Sequence, residues 1–327
     1  ATAVKALTVV PVVRAATESR TTAVATPTAV TAAVAVRVGL ARPAAYRAAG
    51  SLACHRRDTA ATAERVAGNT LLKGIVWAGR PACLGVRFGA RQAAVELLVD
   101  GADSVADADA ARRMTRHMLG LQQAVDDFEA RYGAHPELGP LIAANPGLRV
   151  PLLATPFEAM VWAVTGQQIS VAAATAVRRR LIEAAGIRHS VGLLCHPDPA
   201  RLARMGEAQL RAAGLSQAKA ATVNLLSRGA ADGTLPFEAW ADAPPVAEIR
   251  ARLAAIRGIG PWTIEYTLLR GFGHLDGSLH GDVAVRRKLQ LLLGREEKIS
   301  ATETGRWLAQ FTPWRALVAA HLWAWHP

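Results

Sequence analysis

Arg257-Gly258-Ile259-Gly260-Pro261-Trp262-Thr263 is the stretch whose reading decides the fold, with Gly281-Asp282-Val283 following downstream. On its N-terminal side, Ile249, Leu253 and Ile256 recur at helical spacing and predict a helix over 246–256. On its C-terminal side, Pro261 suits the first position of a helix, where its missing N–H would have no partner in any case. That second helix runs through Tyr266, Leu268 and Leu269 to Arg270, and Gly271 is expected to end it. The two helices are therefore joined by a tight Gly-Ile-Gly hairpin, and glycine permits both the sharp turn and the close approach of a partner. The unpaired N–H groups opening the second helix favour an anion, a phosphate above all. A plain helix turn with a glycine cap is the alternative reading of the same residues.

The surrounding chain bounds what such a hairpin can serve. At 327 residues it is long enough for two or three domains with a substantial core. Its formal net charge of +12 suits a polyanionic partner, although a solvated basic surface would look the same. Of that excess, +5 falls in the first 50 residues and +7 remains for the rest. Cys54, Cys83 and Cys195 are scattered, so neither a disulfide framework nor a zinc motif is visible, and a reducing cytoplasm fits. Three cysteines are also too few for a four-cysteine iron–sulfur cluster. No apolar run reaches the length of about eighteen residues that a membrane span needs. Arg14 interrupts the apolar N-terminal segment, which argues against a secretory signal.

Residues 1–45, rich in Ala, Thr and Val, are expected to be a low-complexity tail or linker. Residues 46–108 are expected to form a small αβ unit. It comprises a short helix over 60–67 and three antiparallel strands over 70–77, 82–88 and 93–99. Residues 109–327 read as helical. Helices are expected over 110–119, 122–132, 137–145, 156–169, 172–185, 199–205, 207–213 and 219–228, with Gly, Pro or polar breaks between them.

Several further motifs occur in a fixed order around the hairpin. Pro156-Phe157-Glu158 leads into Gly166-Gln167-Gln168-Ile169-Ser170; Gly214-Leu215-Ser216-Gln217-Ala218-Lys219 opens another helix; a Gly-rich loop over 271–281 precedes Asp282; and Pro313-Trp314-Arg315 precedes His321-Leu322-Trp323. Together with Gly258-Ile259-Gly260-Pro261-Trp262-Thr263 this set resembles the helix–hairpin–helix/Gly-Pro-Asp superfamily of DNA glycosylases, in its bacterial 3-methyladenine DNA glycosylase II branch. The resemblance spans roughly residues 50 to 327. It implies an α+β, mostly α-helical fold with a small N-terminal antiparallel sheet. It also implies a cytoplasmic, monomeric base-excision enzyme that works on double-stranded DNA. No cofactor is required on this reading; the family leaves room for a monovalent cation on the hairpin carbonyls, and no metal site is expected.

Asp282 stands where the family places the carboxylate that serves the oxocarbenium-like sugar, while local sequence alone makes it an ordinary N-cap. The two roles are compatible. The resemblance assigns Trp262, Tyr266 and Trp323 to a base pocket, although aromatics at such positions are most often core. An electron-rich pocket suits a flipped, cationic base such as 3-methyladenine or 7-methylguanine. The DNA-contacting set is Gly258, Ile259, Gly260, Thr263, Gln167, Gln168, Ser170, Lys219 and Arg286, with Gln168 at the position of the inserted wedge. A helix C-cap for the glutamines and simple solvation for Lys219 are the plainer readings. Strand-nicking relatives carry a lysine just after the hairpin glycines, whereas this chain has Trp262, so a monofunctional enzyme is expected. The remaining alternatives are a noncatalytic sensor of distorted DNA and a glycosylase for another purine lesion.

Overall fold

The computed structural model describes residues 34–102 and 107–326. It opens with a five-stranded antiparallel sheet. The strands are β1 (Val34–Ala41), β2 (Glu64–Ala67), β3 (Thr70–Trp77), β4 (Arg80–Phe88) and β5 (Gln92–Val99), and α1 (Ala48–His55) lies between β1 and β2. Their spatial order is β1-β5-β4-β3-β2, so β1 closes the edge beside β5 in a register that pairs Val36 with Leu97 and Val38 with Val95. The three expected strands are present.

Two expectations fail here. Of the expected tail over 1–45, residues 1–33 lie outside the described residues, while β1 falls in the remainder, because Val36, Val38 and Leu40 alternate onto the buried face of the sheet. The expected helix over 60–67 is instead a turn followed by β2. Its Glu64 faces Lys73 across the β2–β3 ladder and forms an ion pair with it at 2.6 Å, a tertiary partner absent from the local pattern.

Thirteen helices occur among the described residues. After α2 (Ala108–Met118), which packs on the sheet, come α3 (Val125–Tyr132), α4 (Leu138–Ala144), α5 (Pro156–Gly166), α6 (Val171–Ala185), α7 (Pro199–Ala212) and α8 (Gln217–Ala231). The hairpin helices are α9 (Val246–Ala254) and α10 (Pro261–Phe272), followed by α11 (Val283–Leu292), α12 (Ala301–Ala309) and α13 (Arg315–Ala324). The starts follow capping chemistry: Thr155, Ser170, Asp198, Ser216 and Asp282 each accept a backbone N–H of the helix that follows. The two helices expected over 199–213 are one run with a break at Gly206.

Helix α10 is the central beam. Ile264, Leu268 and Phe272, four apart on one face, pack into the core formed with α5 to α9. Leu269, with the half-buried Trp262 and Tyr266, belongs to the second core, built from α3, α4 and α11 to α13. Gly271 lies inside α10 rather than ending it. A Cβ there would stand 2.9 Å from the Ala159 side chain, so this glycine lets α10 lie close against α5.

The sheet is tied to the helices by a buried quartet of charges. Lys73, fully buried on β3, lies 2.6 Å from Glu64 and 2.7 Å from Glu158 of α5; Arg178 of α6 reaches the same two carboxylates at 3.0 and 2.8 Å. Two cations and two anions thereby satisfy one another where either alone would be costly. Burial opposes ionisation of Glu158, but Lys73, the neighbouring His196 and Arg178 outweigh it and hold the carboxyl below its ordinary range.

Candidate active site

Asp282 sits at the mouth of α11. Its Oδ1 accepts the backbone N–H groups of Ala284 at 2.9 Å and Val285 at 3.0 Å, which fixes the side chain as an N-cap. Two indoles complete its shell. Trp262 Nε1 donates to Oδ2 at 2.9 Å, and Trp323 Nε1 approaches Oδ1 at 3.3 Å. The carboxylate is thus held by donors from α10, α11 and α13. Asp276, the nearest acidic competitor in the loop, is occupied by a two-pronged pairing with Arg315 at 2.8 and 3.0 Å.

The expected aromatic group assembles around this carboxylate. Trp262 stacks on Tyr266 with ring centroids 5.0 Å apart, and Tyr266 faces Trp323 at 6.1 Å. Trp162 of α5, which the sequence reading did not single out, donates its Nε1 to the Tyr266 hydroxyl at 3.0 Å. It could have been noticed as a large aromatic on the helix that leads to the glutamines. All four rings are partly exposed, unlike the Phe residues of the cores. A separate cavity of about 620 Å³, lined by residues including Trp77, Met114, His117 and Glu238, shares none of the residues around Asp282.

The hairpin is formed as expected. Gly258 has φ 91°, a conformation that glycine adopts readily, and any Cβ there would meet Thr222 Oγ1 at 2.7 Å. Gly260 is the N-cap of α10 and offers no side-chain cap of its own, leaving the backbone N–H groups behind it to other partners. Ile259 and Thr263, expected among the DNA contacts, point inward. Ile259 packs in the core of α5 to α10, and Thr263 is buried with its Oγ1 accepting from Gln167 at 2.9 Å. Their side chains build the turn instead of facing outward.

Around the Gln-Gln segment, α5 ends at Gly166, short of the expected Ile169. Gln167 donates to the Gly258 carbonyl at 2.9 Å and so locks this segment to the hairpin. Gln168 is exposed with φ 57°, a left-handed conformation uncommon for a residue with a Cβ. Ser170 caps α6 by accepting the Ala173 N–H at 3.2 Å. Lys219, expected as either a phosphate contact or a solvated side chain, is partly buried and has protein partners. Its ammonium donates to the carbonyls of Thr165 at 2.9 Å and Gln167 at 2.7 Å, satisfying the orphan acceptors at the end of α5. Arg286 lies on the first turns of α11, half-buried, with its Nε lacking a partner among the described residues. Val283, next to Asp282, is 69% exposed, and Ile169 and Val171 are also exposed.

With the hairpin, the capped aspartate and the aromatic shell in place, the class is defined. Residues 161–313, just under half of the chain, match the family described as HhH-GPD superfamily base excision DNA repair protein. Within it, the chain is homologous to 3-methyladenine DNA glycosylases. It is 32% identical over 195 residues to DNA-3-methyladenine glycosylase 2 of Escherichia coli, covering 58% of this chain and 66% of that protein. It is 30% identical over 224 residues to the "Probable bifunctional transcriptional activator/DNA repair enzyme AlkA" of Mycobacterium tuberculosis, covering 68% of this chain but 44% of that protein. The chain therefore spans less than two thirds of the length of either relative. The 3-methyladenine DNA glycosylase of Archaeoglobus fulgidus shares the fold, with a TM-score of 0.73 at 20% identity over 88% of this chain and 98% of that one.

Among the described residues no group of three or more His, Cys, Asp or Glu side chains could hold a metal ion, and no helix is long and apolar enough to cross a membrane.

Proposed function

We propose that this protein is a monofunctional DNA glycosylase that releases alkylated purines of the 3-methyladenine and 7-methylguanine type from double-stranded DNA. The supporting observation is the Asp282 carboxylate fixed by Trp262 and Trp323 beside the Trp262–Tyr266 stack. A carboxylate serves a developing sugar cation, and electron-rich rings serve a cationic base. Both are offered at one place.

In this reading the backbone N–H groups behind Gly260 hold a phosphate, Arg286 adds charge near the site, and Gln168 enters the stack where the damaged nucleotide leaves it. The flipped base lies among Trp262, Tyr266 and Trp323. The N-glycosidic bond breaks and its electron pair goes to the base, which neutralises the charge that alkylation had placed there. Such a base needs no dedicated general acid. Asp282 stabilises the positive charge left on the sugar, and water adds at that carbon and loses a proton, leaving an abasic site. With Trp262 after the hairpin glycines, no amine stands there to form a Schiff base and nick the strand.

A monovalent cation fits the hairpin only through part of its carbonyls, since those of Arg257 and Gly258 already accept from Thr222 and Gln167. Held there, it would supply positive charge toward a phosphate.

The test is base release from methylated duplex DNA by the wild type and by Asp282→Asn, beside binding to abasic-site DNA. The expected result is release by the wild type alone, with binding kept in both proteins. Tight binding without release from either would replace this reading with a noncatalytic sensor or another lesion.

A further inference from the structure

Cys54 lies near the end of α1 and is partly exposed, whereas Cys83 and Cys195 are buried. Its Sγ accepts a hydrogen bond from Arg270 Nη2 at 3.0 Å. Arg270, on the last turn of α10, is only 6% exposed, and its Nε has no hydrogen-bond partner among the described residues. Cys54, His55, Trp162 and Arg270 line a common cavity of about 30 Å³. His55 is 3% exposed, and its Nε2 is a second buried nitrogen without a partner.

These features fit together chemically. A buried donor without an acceptor costs about 1–3 kcal/mol. A cavity of this size holds roughly one water-sized group. Nε and Nη2 occupy one edge of the planar guanidinium, a fork suited to two acceptor atoms side by side. The sulfur occupies one prong; Nε, the other, has no partner among the described residues, and Arg270 and Cys54 both line the small cavity.

We propose that Cys54 is a peroxide-reactive thiolate whose sulfenate oxygen is received by Arg270 Nε. The thiolate sulfur attacks one oxygen of hydrogen peroxide; the S–O bond forms as the O–O bond breaks. Sulfur is oxidised by two electrons and the peroxide is reduced. The departing hydroxide takes the remaining peroxide proton and leaves as water, so the sulfenate keeps the single negative charge that Arg270 pairs with. The electrostatics agree. Burial pushes the thiol up, but Arg270, Arg57 and His55 together outweigh it and bring the thiol down to about 6. Because Trp162 walls the cavity and also bonds Tyr266, the site abuts the aromatic cluster, yet it does not depend on base release.

The test follows iodoacetamide alkylation of the Cys54 peptide by mass spectrometry across pH, in the full chain. The wild type should show a rate midpoint near pH 6. Prior hydrogen peroxide should abolish alkylation, and dithiothreitol should restore it. In Arg270→Gln the midpoint should rise toward the ordinary thiol value of about 8.5. Should that variant not fold, the wild-type pH profile and the reversibility of the peroxide block decide the matter. A wild-type midpoint near 8.5, a midpoint unmoved in folded Arg270→Gln, alkylation unaffected by peroxide, or a block that dithiothreitol does not reverse would each overturn the assignment.

Discussion

Trp262 Nε1 donates to Asp282 Oδ2 at 2.9 Å, so the first turn of α10 and the mouth of α11 are joined through the proposed catalytic carboxylate itself. The opposite oxygen, Oδ1, is committed to Ala284, Val285 and Trp323. One indole therefore does two things at once, orienting the carboxylate with its edge and stacking on Tyr266 with its face. Trp262→Phe separates these roles because it keeps a ring and removes the donor. A charge-assisted hydrogen bond contributes about 1.5–3 kcal/mol. We expect single-turnover base release to fall by about tenfold to a hundredfold, with abasic-site DNA binding changed by less than about threefold. An equal loss in both measurements would show that the indole acts through binding rather than through the carboxylate.

Gln168 predicts a separation of folding from function. Its φ of 57° places a Cβ-bearing residue where glycine is at ease, at a cost of about 1–2 kcal/mol. Gln168→Gly should leave thermal stability unchanged or slightly raised, because the side chain is exposed. The same variant should bind abasic-site DNA about tenfold more weakly if the side chain fills the gap left by the flipped nucleotide. Unchanged affinity would remove Gln168 from the interface.

How much of this was legible beforehand depends on whether the signal was local. The hairpin, the capping position of Asp282 and the shared face of Trp262 and Tyr266 were readable, because glycines, a proline and helical spacing are features of nearby residues; Trp323 joined them only through the family resemblance. β1 carried a signal that its surroundings concealed: Val34, Val36, Val38 and Leu40 alternate cleanly, but they follow a long Ala, Thr and Val-rich run without such order. The inward turn of Thr263 and the bonding of Lys219 to α5 carbonyls were not legible, since each depends on a partner brought in by tertiary packing. The same holds for Trp162, whose hydroxyl partner Tyr266 is 104 residues away.

The charge quartet predicts a large effect far from Asp282. Glu158→Gln would leave Lys73 and Arg178 sharing only Glu64, and breaking a buried ion pair costs about 3–5 kcal/mol. The loss should appear as a lower urea midpoint, since the quartet joins the sheet to α5 and α6. Replacing Lys73 by Met in the Glu158→Gln background should not restore the pair but should remove one uncompensated charge and recover part of the loss. A further loss in the double variant would mean that the lysine stem, not its charge, supports the packing.

Acid sensitivity separates the buried histidines from this quartet. His196 is brought down to about 4 chiefly by burial, with Arg178 and Lys73 adding to the effect and Glu158 and Glu64 opposing it. His321 is likewise pushed down to about 4 by burial against a weaker pull from the Leu141 carbonyl, which lies outside hydrogen-bond geometry; its ring is tilted against Phe128 with centroids 5.4 Å apart. An unfolded histidine titrates near 6.5, so between about pH 6.5 and 4 the unfolded chain binds the proton and the folded chain does not. Stability is therefore full above that window and declines as pH falls through it, by about 3 kcal/mol for each histidine at the lower end. The depressed glutamates behave in the same direction but only from their ordinary range near 4.5 downward, so the upper part of the window belongs to the histidines. His321→Phe fills the same apolar space without a titrating group. Urea unfolding at several pH values should show a shallower decline for this variant between pH 6.5 and 4.5, with stability at pH 5 equal to or above that of the wild type. Parallel declines in the two proteins would assign the acid sensitivity to other groups and leave His321 a neutral packing residue at every pH tested.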